Sequence, residues 1–275
     1  MKQSAIWESI REATDRHRNL PFWSWNDRLE PDELREQIRR MAEAGFGGFF
    51  MHARGGLTTP YMQEEWMEAI RVSMEEAKRY GMESWAYDEN GWPSGFANGG
   101  VPALGEDYQQ KGLAYAVVKD GKPLPERTLG VYRQSGDRCV LTDEPQAGDV
   151  VVYVVVNRYY IDALNPHSIA EFLKQVHEVY RDEFPEQFGR ELIGFFSDEP
   201  QYAHGLVPWS PVLERAFADQ GEDVRQHLGA LFWIRRGIGH SAIDIIGWRL
   251  SCLSKTLSGR CMIGVTITGF SSPGI

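Results

Sequence analysis

The chain has 275 residues, a formal net charge of −10 and three cysteines, and 42% of it is hydrophobic and 25% charged. Composition and length are those of an ordinary globular protein with one large α/β domain or two small ones. They exclude a disulfide framework or C-x-x-C zinc site, a span of about 20 apolar residues through a bilayer, and, without a segregated basic patch, nucleic acid as a partner.

In chain order, Pro21–Asp27 (PFWSWND) reads as a first strand. Glu30-Pro31-Asp32-Glu33 opens a helix with acids in its first turn, which complement the helix dipole, and Leu34, Ile38, Met41 and Ala42 follow at helical spacing. Gly45 stops it. Gly47–Ala53 is an apolar run bounded by glycine, predicted as a buried strand. Gln63–Tyr80 repeats the pattern, with Trp66, Met67, Ile70, Met74 and Ala77 on one side, Gly81 as the stop and Met82–Asp88 as the strand. A third unit begins at Asn165-Pro166, carries Ile169, Phe172, Leu173, Val176 and Tyr180, and leads through Gly189 into Leu192–Pro200. Such alternation predicts a parallel sheet covered by helices. Between the second and third units, residues 108–161 hold LAYAVV, LGVY and DVVVYVVVNRYYI among Gly121, Pro123, Pro125 and Gly148, the texture of inserted antiparallel strands.

The last 43 residues differ from the rest. Of the chain's 29 bases and 39 acids, five (Arg235, Arg236, Arg249, Lys255, Arg260) and one (Asp244) lie in 233–275, leaving 24 bases against 38 acids before it. The segment shows no sustained helical period. Reading Cys261–Thr266 from the third base of the Cys codon gives Tyr or His, then a forced Asp, then codons that allow Trp, Cys and His. The expectation is that 233–275 is translated out of frame. The domain organisation is then 1–107, a first part of the parallel layout; 108–161, the β insertion; 162–232, its continuation; and 233–275, the atypical tail.

The chemistry-bearing residues fall at the ends of the predicted parallel strands: Trp25-Asn26-Asp27, His52-Ala53-Arg54, Tyr87-Asp88-Glu89 with Trp92 beyond, and Ser197-Asp198-Glu199. Parallel α/β folds build their sites at the carboxyl ends of strands. Each residue alone also fits a capping, turn or ion-pair role. Aromatic rings beside carboxylates and amides suit a carbohydrate, whose C–H face packs on a ring while its hydroxyls meet the polar groups. Glycoside hydrolysis needs two carboxyl groups about the scissile bond. Glu199 is the candidate acid, because the apolar strand before it is expected to place it beside buried surface. Asp198 is the neighbouring candidate catalytic carboxyl, and the second catalytic group is left open among the nearby acids.

PFWSWNDRLEPDELREQIRRMAEAGFGGFFMHARGG, AYDENGWPSGFA and IGFFSDEPQ together resemble the N-terminal part of glycoside hydrolases related to family 106, the α-L-rhamnosidase family. The resemblance covers about residues 18–232. It implies a (β/α)8 barrel, of which this chain would hold roughly the first four strands, hydrolysis of a terminal glycoside with inversion between a Glu acid and a Glu base, and Glu199 as the acid. It implies a calcium ion whose ligands it does not place. A chain holding half a barrel is expected to be inactive and, with an open sheet edge, poorly soluble. Two other readings stand beside the glycosidase: a non-catalytic carbohydrate-binding module on the same aromatic rim, and a metal-dependent hydrolase using His52, Asp88 and Asp198, which lacks any H-x-H or H-E-x-x-H pattern. The charged Met1–Arg18 stretch has no apolar h-region, so the expected location is cytoplasmic.

Overall fold

The computed structural model describes residues 18–136, 138–203 and 205–233, so the out-of-frame reading of the tail lies, past Trp233, outside the described residues. The described chain is mixed α/β and falls into two compact units. One takes the residues up to Asn98 together with Phe172–Pro200. The other takes Gly99–Glu171 and the described residues from Gln201 to Trp233. The division differs from the expected one, in which 108–161 was a simple insertion and 162–232 returned to the parallel layout.

The first unit contains β1 (Phe22–Trp25), α1 (Pro31–Glu43), β2 (Gly48–Ala53), α2 (Glu64–Arg79) and β3 (Glu83–Tyr87), each near its predicted place. The four strands of its sheet are all parallel, in the order β1, β2, β3 and the later strand Leu192–Phe196. α1 starts with Pro31 at its first position and Asp32 and Glu33 in its first turn, and Gly45 follows its end at φ 85°. β2 and β3 approach closely at Gly48, where a Cβ would stand 2.4 Å from the Glu83 carbonyl oxygen. Glycine is therefore required there by space rather than by dihedral.

The strands alternate between two environments. Trp23, Trp25, Phe49, Met51 and Ala86 are buried on the side that α2 covers, and Trp66 of α2 stacks edge-on to Trp25 at 5.0 Å. Trp66 is fully buried and its indole N–H donates to the Tyr180 hydroxyl at 2.8 Å. A buried Trp removes about 200 Å2 from water, which at about 25 cal/mol per Å2 contributes roughly 5 kcal/mol. Phe22, Phe50, Trp85 and Phe196 alternate with these residues and point to the opposite side.

The second unit holds β4 (Gln109–Val117), β5 (Thr128–Ser135), β6 (Arg138–Thr142) and β7 (Val150–Ile161). The third predicted helix is two helices, α3 (Pro166–Gln175) and α4 (His177–Glu183), parted at Val176, and β8 (Leu192–Phe196) completes the parallel sheet. Then come β9 (Val207–Trp209), α5 (Pro211–Ala218) and α6 (Leu228–Trp233). The second sheet runs β6-β5-β7-β4-β9, antiparallel throughout. Because β9 pairs with β4, residues beyond 200 join the antiparallel sheet, which is why the expected continuation of the parallel layout to 232 does not hold. Leu113, Tyr132, Val152, Trp209, Leu213, Phe217 and Leu228 form this unit's core. No described helix is long and apolar enough to cross a membrane.

Candidate functional site

The site lies at the carboxyl ends of β1, β2, β3 and β8. On the side of the sheet away from α2, Phe22, Phe50 and Phe196 pack against one another with ring centroids 4.7–5.6 Å apart. Phe22 is 51% exposed, so this aromatic floor faces solvent in part. At its rim His52 stacks on Tyr87, 3.8 Å between ring centroids and 13° from parallel. The Nδ1 of His52 is 3.0 Å from the Ala53 carbonyl oxygen. A carbonyl accepts only from a protonated nitrogen, so the proton sits on Nδ1 and Nε2 is left as an acceptor. Burial, reinforced by the Arg54 charge, lowers the His52 pKa and favours the neutral ring. Burial pushes the Tyr87 hydroxyl up, and the Asp198 carboxylate is near enough to act electrostatically on both His52 and Tyr87.

Asp88 and Glu89 lie elsewhere. By strand alternation Asp88 falls on the helix side, fully buried, with Oδ2 3.9 Å from Nε2 of His177 in α4. Burial is the largest cause of its pKa of about 7, opposed by hydrogen bonds from Ser94 and Ser197. His177 is pushed down to about 4, also by burial, so the pair is largely neutral in weak acid. The Ser94 hydroxyl donates to Asp88 Oδ1 at 2.5 Å. Glu89 is 0% exposed and accepts five backbone N–H groups, from Asn90, Gly95, Phe96, Ala97 and Asn98, at 2.6–3.3 Å. Its oxygens are occupied in closing the 90–98 loop and are not presented to a ligand.

Trp25 is likewise a core residue, 2% exposed between Trp23 and Trp66, rather than a rim aromatic. Its side chain follows Trp23 by two positions, which puts both on the helix side. Asn26, Asp27, Arg54 and Trp92 are exposed at the strand ends, Trp92 by 50%. The loops after β1 and β2 meet where Gly56, at φ 103°, leaves room for the Asn26 carbonyl; a Cβ there would lie 2.6 Å from that oxygen. Asp198 is half-buried. Glu199 is exposed rather than seated against buried surface, and its backbone is left-handed at φ 38°. It sits one residue beyond a tether in which Ser94 and Asp198 exchange two hydrogen bonds of 2.9 Å.

The sequence reading missed the floor residues Phe22, Phe50 and Phe196, and also Ser94 and His177. The floor was visible in principle as the residues alternating with Trp23, Phe49 and Met51. Nothing in the local sequence marks Ser94 or His177. Among the described residues no group of three His, Cys, Asp or Glu side chains is placed to hold a metal ion. Asp88 and Glu89, whose oxygens are filled by O–H and N–H donors, do not fit a calcium site, and the metal-hydrolase set His52, Asp88 and Asp198 is split between the two sides of the sheet. A cleft of about 860 Å3 beside the starts of α1 and α2, lined by Arg28, Glu30, Glu65, Arg71 and Glu183, contains none of the candidate residues.

No family model matches the chain. An alignment over 81 residues, which covers 26% of the chain, is 32% identical to part of a protein of Formosa agariphila provisionally named as a β-glucuronidase, of which it spans 7%. A rhamnosidase structure from Novosphingobium sp. PP1Y overlays on 44% of the chain and 12% of its own at 22% identity and a TM-score of 0.30, too partial an overlay to carry an argument. The chain therefore covers a small fraction of either protein's length. The similarity is of a coarse, glycoside-hydrolase-like kind.

Proposed function

We propose that this chain carries part of a glycosidase site, α-L-rhamnosidase-like, that binds a terminal sugar over the aromatic floor on the open face of the β1, β2, β3 and β8 sheet, toward the carboxyl-end rim. The observation that carries the reading is the Phe22–Phe50–Phe196 floor, open to solvent at Phe22, with the His52–Tyr87 stack at its rim. A sugar's C–H face packs on such rings. The neutral Nε2 of His52 accepts a hydroxyl proton, and Asp198 is close by for a second. A 6-deoxy sugar fits better than a uronate, because its methyl group suits the phenylalanines and the exposed acids Asp27 and Glu199, with the half-buried Asp198, repel a carboxylate. The four parallel strands lie across the sheet in chain order, though β4–β7 intervene before the last, and this order with the helices on one side supports the start of a (β/α)8 barrel.

In this reading Glu199 is the proton donor, with Asp198 beside it. Two carboxyl groups must flank the glycosidic bond. Asp88 and Glu89 are buried and engaged, so they do not supply the second one. The 275-residue chain is accordingly proposed to bind sugar without turning it over.

Isothermal titration with L-rhamnose and with D-glucuronate tests the reading. Rhamnose should bind measurably more tightly, and Phe22→Ala should abolish the difference. Equal or absent binding of both sugars overturns it. Turnover of an aryl α-L-rhamnoside that Glu199→Gln abolishes would keep the site and overturn the inactivity.

A further inference from the structure

Ser94 joins two loops that carry different parts of the site. Its side chain is buried, and its hydroxyl donates to Asp88 Oδ1 at 2.5 Å while accepting the Asp198 backbone N–H at 2.9 Å. Its own backbone N–H donates to the Asp198 carbonyl at 2.9 Å. A hydroxyl has one proton to give. With that proton aimed at Asp88, the lone pairs of Ser94 are turned toward Asp198, so Asp88 fixes the direction in which Ser94 can accept. Asp88 is itself held, buried at the end of β3, with its backbone N–H on the Phe196 carbonyl at 3.3 Å. The neighbouring Glu89 fastens the rest of the loop through its five amides.

Glu199 follows this tether directly, with φ at 38°. A left-handed backbone at a residue other than glycine costs roughly 1–2 kcal/mol. Such a conformation persists where surrounding contacts over-determine it. The contacts at this point include the paired Ser94–Asp198 hydrogen bonds and a hydrogen bond from the Ser197 side chain to Asp88. Asp88 lies on the helix side of the sheet, and the Ser94 hydroxyl comes close to the Tyr87 hydroxyl. Ser94 acts through Asp198, and Asp88 acts through Ser94 and the adjoining Ser197.

We propose that Asp88 and Ser94 are positioning residues, which together hold the Asp198–Glu199 turn in the orientation that presents its carboxyl groups to the sugar. The proposal rests on the glycosidase-type reading of the site for the word sugar, and on the hydrogen-bond geometry for the tether. Asp88 orients Ser94, Ser94 orients the Asp198 peptide, and that peptide sets the left-handed turn at Glu199.

Amide hydrogen exchange, read residue by residue by NMR on the whole chain, tests the tether, with the Phe50 amide, bonded to the Pro21 carbonyl at 3.0 Å, as an internal control. Loss of one such hydrogen bond changes local opening by about 10-fold. Ser94→Ala and Asp88→Ala should each speed exchange at Asp198 by about that factor with Phe50 unchanged. Ser94→Thr, which keeps the hydroxyl, and Asp88→Asn, which keeps the acceptor oxygen, should restore protection, a rescue that a space-filling role would not predict. Rhamnose affinity should fall about 10-fold in Ser94→Ala and return in Ser94→Thr. Unchanged exchange at Asp198 in both alanine variants overturns the tether. Protection at Asp198 that depends on Ser94, in a chain that binds no sugar, supports the tether and overturns the functional reading instead. If Ser94→Ala fails to fold, Asp88→Ala against Asp88→Asn decides the same question.

Discussion

The Nε2 of His177 lies 3.9 Å from Oδ2 of Asp88, and burial moves the two groups in opposite directions. Asp88 rises from 3.8 to about 7 and His177 falls from 6.5 to about 4. For Asp88 the folded value exceeds the unfolded one. Its contribution to stability is therefore complete below its unfolded pKa and is lost as pH rises through 7. For His177 the folded value is the lower. Its contribution is complete above 6.5 and is lost as pH falls through 4. Between about pH 4 and 6.5 the two slopes, each about 1.4 kcal/mol per pH unit, oppose one another.

A pair of variants should separate those slopes. Asp88→Asn leaves His177 alone, so stability should decline toward acid between about pH 6.5 and 4. His177→Gln leaves Asp88 alone, so stability should decline as pH rises from about 4 to 7. The parent should be nearly flat in the shared window as far as these two groups decide it. Urea titrations at half-unit pH steps measure this, and a flat profile in Asp88→Asn would sink the assignment.

Neighbouring parts of the rim should respond in opposite ways to loss of a carboxylate. Glu89→Ala strands five backbone donors in a buried loop and should cost at least about 3 kcal/mol. Glu199→Gly removes an exposed side chain from a left-handed backbone and should stabilise by up to about 1 kcal/mol, while weakening rhamnose binding. Denaturant midpoints measured side by side check both. A Glu89→Ala protein as stable as its parent would contradict the five-amide anchorage.

The two tryptophans singled out in the sequence should also divide. Trp25→Ala empties a core position and should cost about 3–5 kcal/mol. Trp92→Ala, at an exposed position, should leave stability within about 0.5 kcal/mol and lower sugar affinity. Thermal melts and a rhamnose titration on both variants test the contrast. Loss of binding without loss of stability in Trp25→Ala would return Trp25 to the rim.

The out-of-frame reading of 233–275 is tested outside the protein altogether. The coding DNA from about Phe232 onward, translated in its other frames, should yield acidic, helix-patterned sequence. A single uninterrupted frame with no such continuation overturns it.

The parallel strands and the helices of the first unit were legible because their apolar spacing and glycine stops are local properties. The break at Val176 was not, since Phe172, Val176 and Tyr180 keep one period through it. Nor were β6, whose Arg138–Thr142 run is half exposed, and β9, a three-residue strand containing proline. For the site, sequence placed the acids and aromatics at strand ends but could not say which side of the sheet each would take. Trp25 and Asp88 fell on the helix side and His52 and Tyr87 on the open side. A shift of one position decides that outcome, and only the register of packed strands fixes it. The capture of Glu89 by its own loop depends on the loop's closure, which no residue type announces.

That closure bears on how such a site can diversify. The 90–98 segment is in effect a ring whose circumference is set by the reach of one carboxylate to five amides. Adding or deleting a residue would throw several of those amides out of reach at once. Variation in length is closed to this loop, while Trp92, half exposed on its outer edge, is free to change. New sugar preferences along this rim would have to arise by exchanging the outward side chain while the ring keeps its size.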